Sequence, residues 1–112
     1  GNTLLKLQKA DEAMAVLKKA IEIKPTYVEA HNNLGNALRE LNRTDEAIAS
    51  YHKAISLDPD FAESHCNLGV LLKELGNLDK AMTCFSKALK ARPEYAEADY
   101  NLGLAFLLVA AG

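Results

Sequence analysis

The sequence predicts an all-α fold, a solenoid of antiparallel helix pairs with a 34-residue repeat. Three observations carry it. The prolines stand at 25, 59 and 93, and the triplet Asn-Leu-Gly recurs at 33–35, 67–69 and 101–103. Between these markers apolar residues step by three or four, the spacing of one helix face, and no stretch alternates with period two. Other columns share the period. Asp-Glu-Ala at 11–13 and 45–47 becomes Asp-Lys-Ala at 79–81, Lys-Ala recurs at 19–20, 53–54 and 87–88, and an aromatic recurs at Tyr27, Phe61 and Tyr95. A fixed period of this size marks a stacked array rather than a single closed core.

The period divides the chain into a partial repeat (1–27), two full repeats (28–61 and 62–95) and the first helix of a further repeat (96–112). Gly1-Asn2 falls in register with Gly35-Asn36, so the partial repeat is read as a shortened first helix followed by a second that opens at Asp11. In 28–61, Ala30, Leu34, Leu38 and Leu41 form the first stripe, and Ala47, Ile48, Tyr51, Ala54 and Ile55 the second. The turn between them is Leu41-Asn42-Arg43-Thr44-Asp45, and Leu75-Gly76-Asn77-Leu78-Asp79 one repeat later. Asn42 and Gly76 suit the left-handed conformation that ends a helix. Asp11, Asp45 and Asp79 suit a helix start, as cap or as first-turn anion at the positive end of the dipole. Each proline then stops the second helix, because the residue before it is pushed out of the α region. The final helix, about 96–110, runs Leu104-Ala105-Phe106-Leu107-Leu108-Val109-Ala110-Ala111 and is apolar nearly all round, unlike a surface helix. It is expected to meet either a continuation of a longer chain or another copy.

Gly35, Gly69 and Gly103 interrupt helical patterns where glycine costs about 1 kcal/mol against alanine. Close crossing of the paired helices explains them, with Tyr51 and Phe85 as the knobs that fill the space.

Composition narrows the function classes. Thirteen Lys+Arg against fifteen Asp+Glu gives a net charge of −2 over 112 residues, which lacks the clustered basic excess of a nucleic-acid domain. Two cysteines make no disulfide scaffold, so nothing requires an oxidising compartment, and Cys66 and Cys84, on different helices with different facing, are expected reduced. The longest apolar run, Leu102–Ala111, is about half of what spans a bilayer, and no basic start precedes an apolar stretch. A cytoplasmic location without membrane contact is therefore expected.

The repeat columns resemble the tetratricopeptide repeat (TPR) family over the whole chain. The middle unit supplies Leu34-Gly35, Leu38, Ala47, Tyr51 and Pro59; the next supplies Leu68-Gly69, Leu72, Ala81, Phe85 and Pro93. Where the family usually carries Trp, this chain has His31, His65 and Asp99. The resemblance implies a right-handed superhelix in which first helices line a concave groove that holds extended peptides, and that the chain is a fragment of a longer array. By spacing, the groove face of the first full repeat carries Glu29, Asn32, Asn33, Asn36, Arg39 and Glu40. The next carries Glu63, Cys66, Asn67, Val70, Lys73 and Glu74, and the last helix Glu97, Tyr100, Asn101, Leu104, Leu107 and Leu108.

The column Asn33, Asn67, Asn101 is the sharpest feature of that face. A carboxamide offers donors and an acceptor together, so one per repeat could grip the backbone of an extended chain whatever its sequence. It resembles the asparagine ladder of O-linked N-acetylglucosamine transferase TPR arrays. The competing use of the same amides is bonding to their own or a neighbouring backbone. Other TPR domains clamp chaperone C-terminal carboxylates with cations. Here Glu29, Glu63 and Glu97 oppose an anionic peptide end, and the only groove cations are Arg39 and Lys73, so that clamp is not expected.

Metal and enzyme readings are weak. His31, His65 and Asp99 share a column, but equivalent positions on successive repeats lie about 10 Å apart, whereas ligands must converge to about 2 Å from one ion. They are read instead as partly exposed packing residues, and His52 as solvent-facing. No phosphate loop, HExxH or Gly-x-Ser-x-Gly occurs, so no cofactor, metal or catalysis is expected. Asn42-Arg43-Thr44 matches a glycosylation sequon and is read as a turn. The expected function is a protein–protein scaffold holding an extended peptide through Asn32, Asn33, Asn36, Arg39, Asn67, Val70, Lys73, Tyr100, Asn101 and Leu104. The alternative is an architectural spacer or oligomerisation segment of a larger enzyme such as a glycosyltransferase, self-associating through helix 96–111.

Overall fold

The computed structural model describes residues 2–112 as six helices: α1 (Asn2–Ile23), α2 (Val28–Glu40), α3 (Thr44–Leu57), α4 (Ala62–Glu74), α5 (Leu78–Ala91) and α6 (Ala96–Ala111). No strand occurs among the described residues, and the chain has an all-α repeat fold. It divides into two compact units, one reaching to Pro59 and the other Asp60–Gly112.

In the first unit α2 packs on both α1 and α3. The α2–α3 turn ends the helix as the sequence predicts. Asn42 sits at φ 59°, Arg43 N–H bonds Leu38 C=O at 2.9 Å, and Asn42 N–H bonds Arg39 C=O at 3.0 Å. These are the two reversed bonds of a Schellman motif, which satisfy carbonyls that the helix end leaves orphaned. Asp45 lies in the first turn of α3 as a dipole-facing anion, and no side chain caps that helix.

The partial repeat differs from expectation. Helix α1 runs unbroken through residues 8–10, so Asp11 lies inside a helix rather than at its start. Here Gln8 stands where Asn42 and Gly76 stand in the full repeats, and Lys9-Ala10 follow. Nothing favours a left-handed residue, and every residue is a good helix former. The extended helix is held along its length by Lys6–Glu40 (3.1 Å) and by Arg43 Nη1 donating to Met14 Sδ (3.3 Å).

In the second unit α5 packs between α4 and α6, and α4 also meets α6. Its core is Ala62, Cys66, Ala81, Phe85, Ala88 and Ala98, with Val70, Leu72, Leu89, Tyr95 and Leu102 against it. Gly76, at φ 83°, repeats the turn of Asn42, with Asn77 N–H on Leu72 C=O at 2.9 Å.

The small residues fulfil their predicted role in both full repeats. A Cβ on Gly35 would stand 2.5 Å from Tyr51 Cε1, and one on Gly69 would stand 2.7 Å from Phe85 Cε1. Ala47, Ala54, Ala81 and Ala88 are fully buried beside these rings. Gly103 departs from the pattern, because nothing lies within 4 Å of a Cβ placed there.

Candidate functional site

The face expected to bind is carried by α2 in the first unit and by α4 and α6 in the second. On α2, Asn33 is exposed, and Asn36 and Arg39 are half-buried. Asn36 Oδ1 accepts a 2.6 Å hydrogen bond from the Tyr51 hydroxyl, which fixes the amide. Asn32 was expected on this face, but it is only 6% exposed and is not displayed. Spacing along one helix anticipates one packing partner, whereas α2 has two, and its buried arc widens to include Asn32.

The histidines also differ from expectation. His31 and His65 are buried rather than partly exposed. His31 Nε2 donates to Pro25 C=O at 2.8 Å, so this polar side chain ties the proline loop to α2. Burial without such a bond would cost more than the bond contributes. His52 is exposed, as expected.

In the second unit Lys73 Nζ donates to Asn101 Oδ1 at 3.0 Å, joining α4 to α6. Asn101 Nδ2 donates to Glu97 C=O at 2.9 Å, and the residue is 8% exposed. The Asn column is therefore not three equivalent amides. Asn33 is open to solvent, Asn67 is half-buried, and Asn101 is committed to its own unit. Tyr100 stands 68% exposed beside it, with Val70 and Leu104 half-buried. Glu63, one of the three groove carboxylates, is held by Arg92 at 2.6 Å, and Arg92 itself lies over the Tyr95 ring at 4.9 Å.

Sequence reasoning missed five residues of α1. Lys6, Lys9, Ala10, Ala13 and Leu17 join Asn33, Asn36, Ala37 and Glu40 around a groove of about 400 Å³ between α1 and α2. The missing signal was the continuity of α1, which the absence of Asn or Gly near residue 8 could have supplied.

Burial pushes the Cys66 thiol up to about 11, with the Glu97 carboxylate adding to it. Burial also pushes the Tyr95 phenol up to about 12, with Cys66 and Glu97 adding to it. Cys84 is raised for the same reason, burial. Both thiols are therefore protonated and weakly nucleophilic at neutral pH. Among the described residues no three His, Cys, Asp or Glu side chains gather as a metal site, and no helix is long and apolar enough to cross a membrane.

Family models for the TPR repeat match residues 1–38 and 35–76, and a tetratricopeptide repeat model matches 62–95. The chain belongs to the tetratricopeptide repeat family. Among solved structures it is similar to MamA at 28% identity and a TM-score of 0.83, covering 90% of this chain and 59% of MamA. It is similar to the Thermobaculum terrenum O-GlcNAc transferase (28%, TM-score 0.78; 92% of this chain, 22% of the transferase). It is also similar to YrrB, a TPR protein with an unusual peptide-binding site (28%, TM-score 0.77; 87% and 50%). The chain thus spans about three-fifths of MamA and half of YrrB. A search of curated proteins finds no match.

Proposed function

We propose that this chain is a non-catalytic interaction module whose first helices hold an extended peptide. TPR repeats typically serve protein interaction, and the similar protein YrrB has a peptide-binding site. The observation that carries the reading is the α4–α6 surface. There the Lys73–Asn101 bond fixes a cation between two helices, with exposed Tyr100 and half-buried Val70 and Leu104 around it. A rigid aromatic beside apolar contacts and a positioned charge is the composition of a binding hot spot. Asn67, on α4 of the same unit, adds an amide donor, and Asn33, Asn36 and Arg39 stand at first-helix positions of the first unit taken by itself. Asn32 and the buried amide of Asn101 act as supports, not as ligand contacts.

The experiment is selection of a binding peptide from a random library, followed by titration calorimetry. Tyr100→Ala is expected to weaken binding at least tenfold while leaving the helical content unchanged, as loss of a central aromatic anchor does. Unchanged affinity in the folded variant removes this surface from the reading.

A second reading, association between copies through helix 96–111, is favoured by one observation. Phe106, Leu107, Leu108 and Val109 are each about half exposed or more on α6.

A further inference from the structure

We propose that Met14 is an oxidation site whose sulfoxide oxygen is received by Arg43, so that its modification ties α1 more firmly to the α2–α3 turn. The sequence holds two methionines, Met14 and Met82, two repeat lengths apart and so in one column. Carried along the repeat, the Met14 and Arg43 positions become Ile48 and Asn77, then Met82 and Ala111. Sulfur and cation stand together at Met14 alone.

The cation is aimed before any oxygen arrives. Arg43 Nε meets Glu46 Oε2 at 2.6 Å, and Arg43 Nη2 donates to Glu46 Oε1 at 3.0 Å. Two-point pairing with a carboxylate fixes the direction of the planar guanidinium. The remaining arm, Nη1, is thereby turned to Met14 Sδ at 3.3 Å. Glu46 itself sits in the first turn of α3, so the clamp is anchored in a helix.

Access and chemistry agree with this placement. Met14 is half-buried, and so are Ile48 and Met82 in the same column, so its exposure belongs to the repeat position. Burial keeps the Cys66 and Cys84 thiols protonated at neutral pH, and no thiolate there intercepts the oxidant first. The oxidant is a peroxide. A sulfur lone pair attacks one peroxide oxygen, the S–O bond forms and the O–O bond breaks. Sulfur loses two electrons and the peroxide gains them. The proton of the transferred oxygen passes to the departing hydroxide, which leaves as water.

A thioether accepts hydrogen bonds weakly. Its sulfoxide carries a polar oxygen one bond further out, which disrupts packing where nothing receives it. At Met14 a charged donor is in place, and charge-assisted bonds are roughly twice as strong as neutral ones. The Arg43 side chain is 41% exposed and can shift to admit the oxygen.

Peroxide treatment of the whole chain at about pH 6 tests this, in a Met82→Leu background that leaves Met14 as the one methionine. Peptide mass mapping is expected to place one added oxygen on Met14, and methionine sulfoxide reductase to remove it. The thermal midpoint of the oxidised chain is expected about 4 °C above that of the reduced chain, and to return after the reductase. With Arg43→Ala added, oxidation is expected to lower the midpoint instead, because the sulfoxide then lacks its donor. Glu46→Gln keeps the cation but loosens the clamp, and is expected to give a smaller rise. Circular dichroism confirms that each variant is folded. A midpoint that fails to rise on oxidation, or that changes equally with and without Arg43, overturns the proposal. So does a rise that the reductase does not reverse, or a Met14 that peroxide leaves unmodified in the folded chain.

Discussion

The Tyr51 ring lies flush against Gly35, so close that a Cβ on the glycine would overlap it, while the Tyr51 hydroxyl donates to Asn36 one residue further along the same helix at 2.6 Å. One side chain thus fixes both the separation and the register of α2 and α3. Overpacking a fully buried ring costs about 1–3 kcal/mol, against about 1 kcal/mol of helix propensity regained by alanine. Gly35→Ala and Gly69→Ala are therefore expected to lower stability on balance. Gly103→Ala, with nothing within 4 Å, is expected to raise it by about 1 kcal/mol. Urea unfolding of the three variants, at a concentration where the chain is monomeric, measures this contrast in sign.

Tyr51→Phe isolates the hydrogen bond from the ring. The loss is expected near 1 kcal/mol, because Asn36 is half-buried and water can take up its oxygen. Thermal unfolding of this variant against wild type reads it directly.

How much of this was legible beforehand differs by residue. Gly35, Gly69, Asn42 and Gly76 announced their roles, because each solves a local problem of close approach or left-handed backbone that repeats every 34 residues. Asp11 misled, since an acid in register says nothing about whether the preceding residues can break a helix. Asn32 and Asn101 were misplaced for another reason. Helical spacing tells which residues share a face but not how many neighbours cover that face. The Lys73–Asn101 bond joins two residues 28 apart in sequence on different helices, and no pattern within either helix encodes it.

The three asparagines of one column are expected to behave differently. Asn101→Ala frees Lys73 and removes a buried amide from its bond to the Glu97 carbonyl, a cost of about 1–2 kcal/mol. Asn33→Ala, on an exposed side chain, is expected to leave stability within about 0.5 kcal/mol. Denaturant titration separates the two. Equal losses would show that Asn33 is structural as well.

Alkaline pH should weaken the second unit through Cys66 and its neighbour Tyr95. The folded thiol ionises near 11 against an ordinary value of 9.0, so between these the unfolded chain has released the proton that the folded chain still holds. Stability is therefore full below pH 9 and falls as pH rises towards 11, by up to about 3 kcal/mol. Cys66→Ala is expected to flatten this part of the profile and to leave a smaller contribution from Tyr95, whose phenol keeps the upward push of burial and Glu97 but loses that of Cys66. Unfolding free energy measured at intervals from pH 8 to about 11 follows the change.

The central claim is that first-helix faces, and not the outer second helices, receive a peptide. Backbone amide shifts of isotope-labelled protein titrated with a library-selected peptide test it most directly. The expected shifts lie at Asn67, Val70, Lys73, Tyr100 and Leu104 in the second unit. Shifts confined to outer-helix residues such as His52, Ser56, Thr83 and Ser86, with α4 and α6 unmoved, would contradict it.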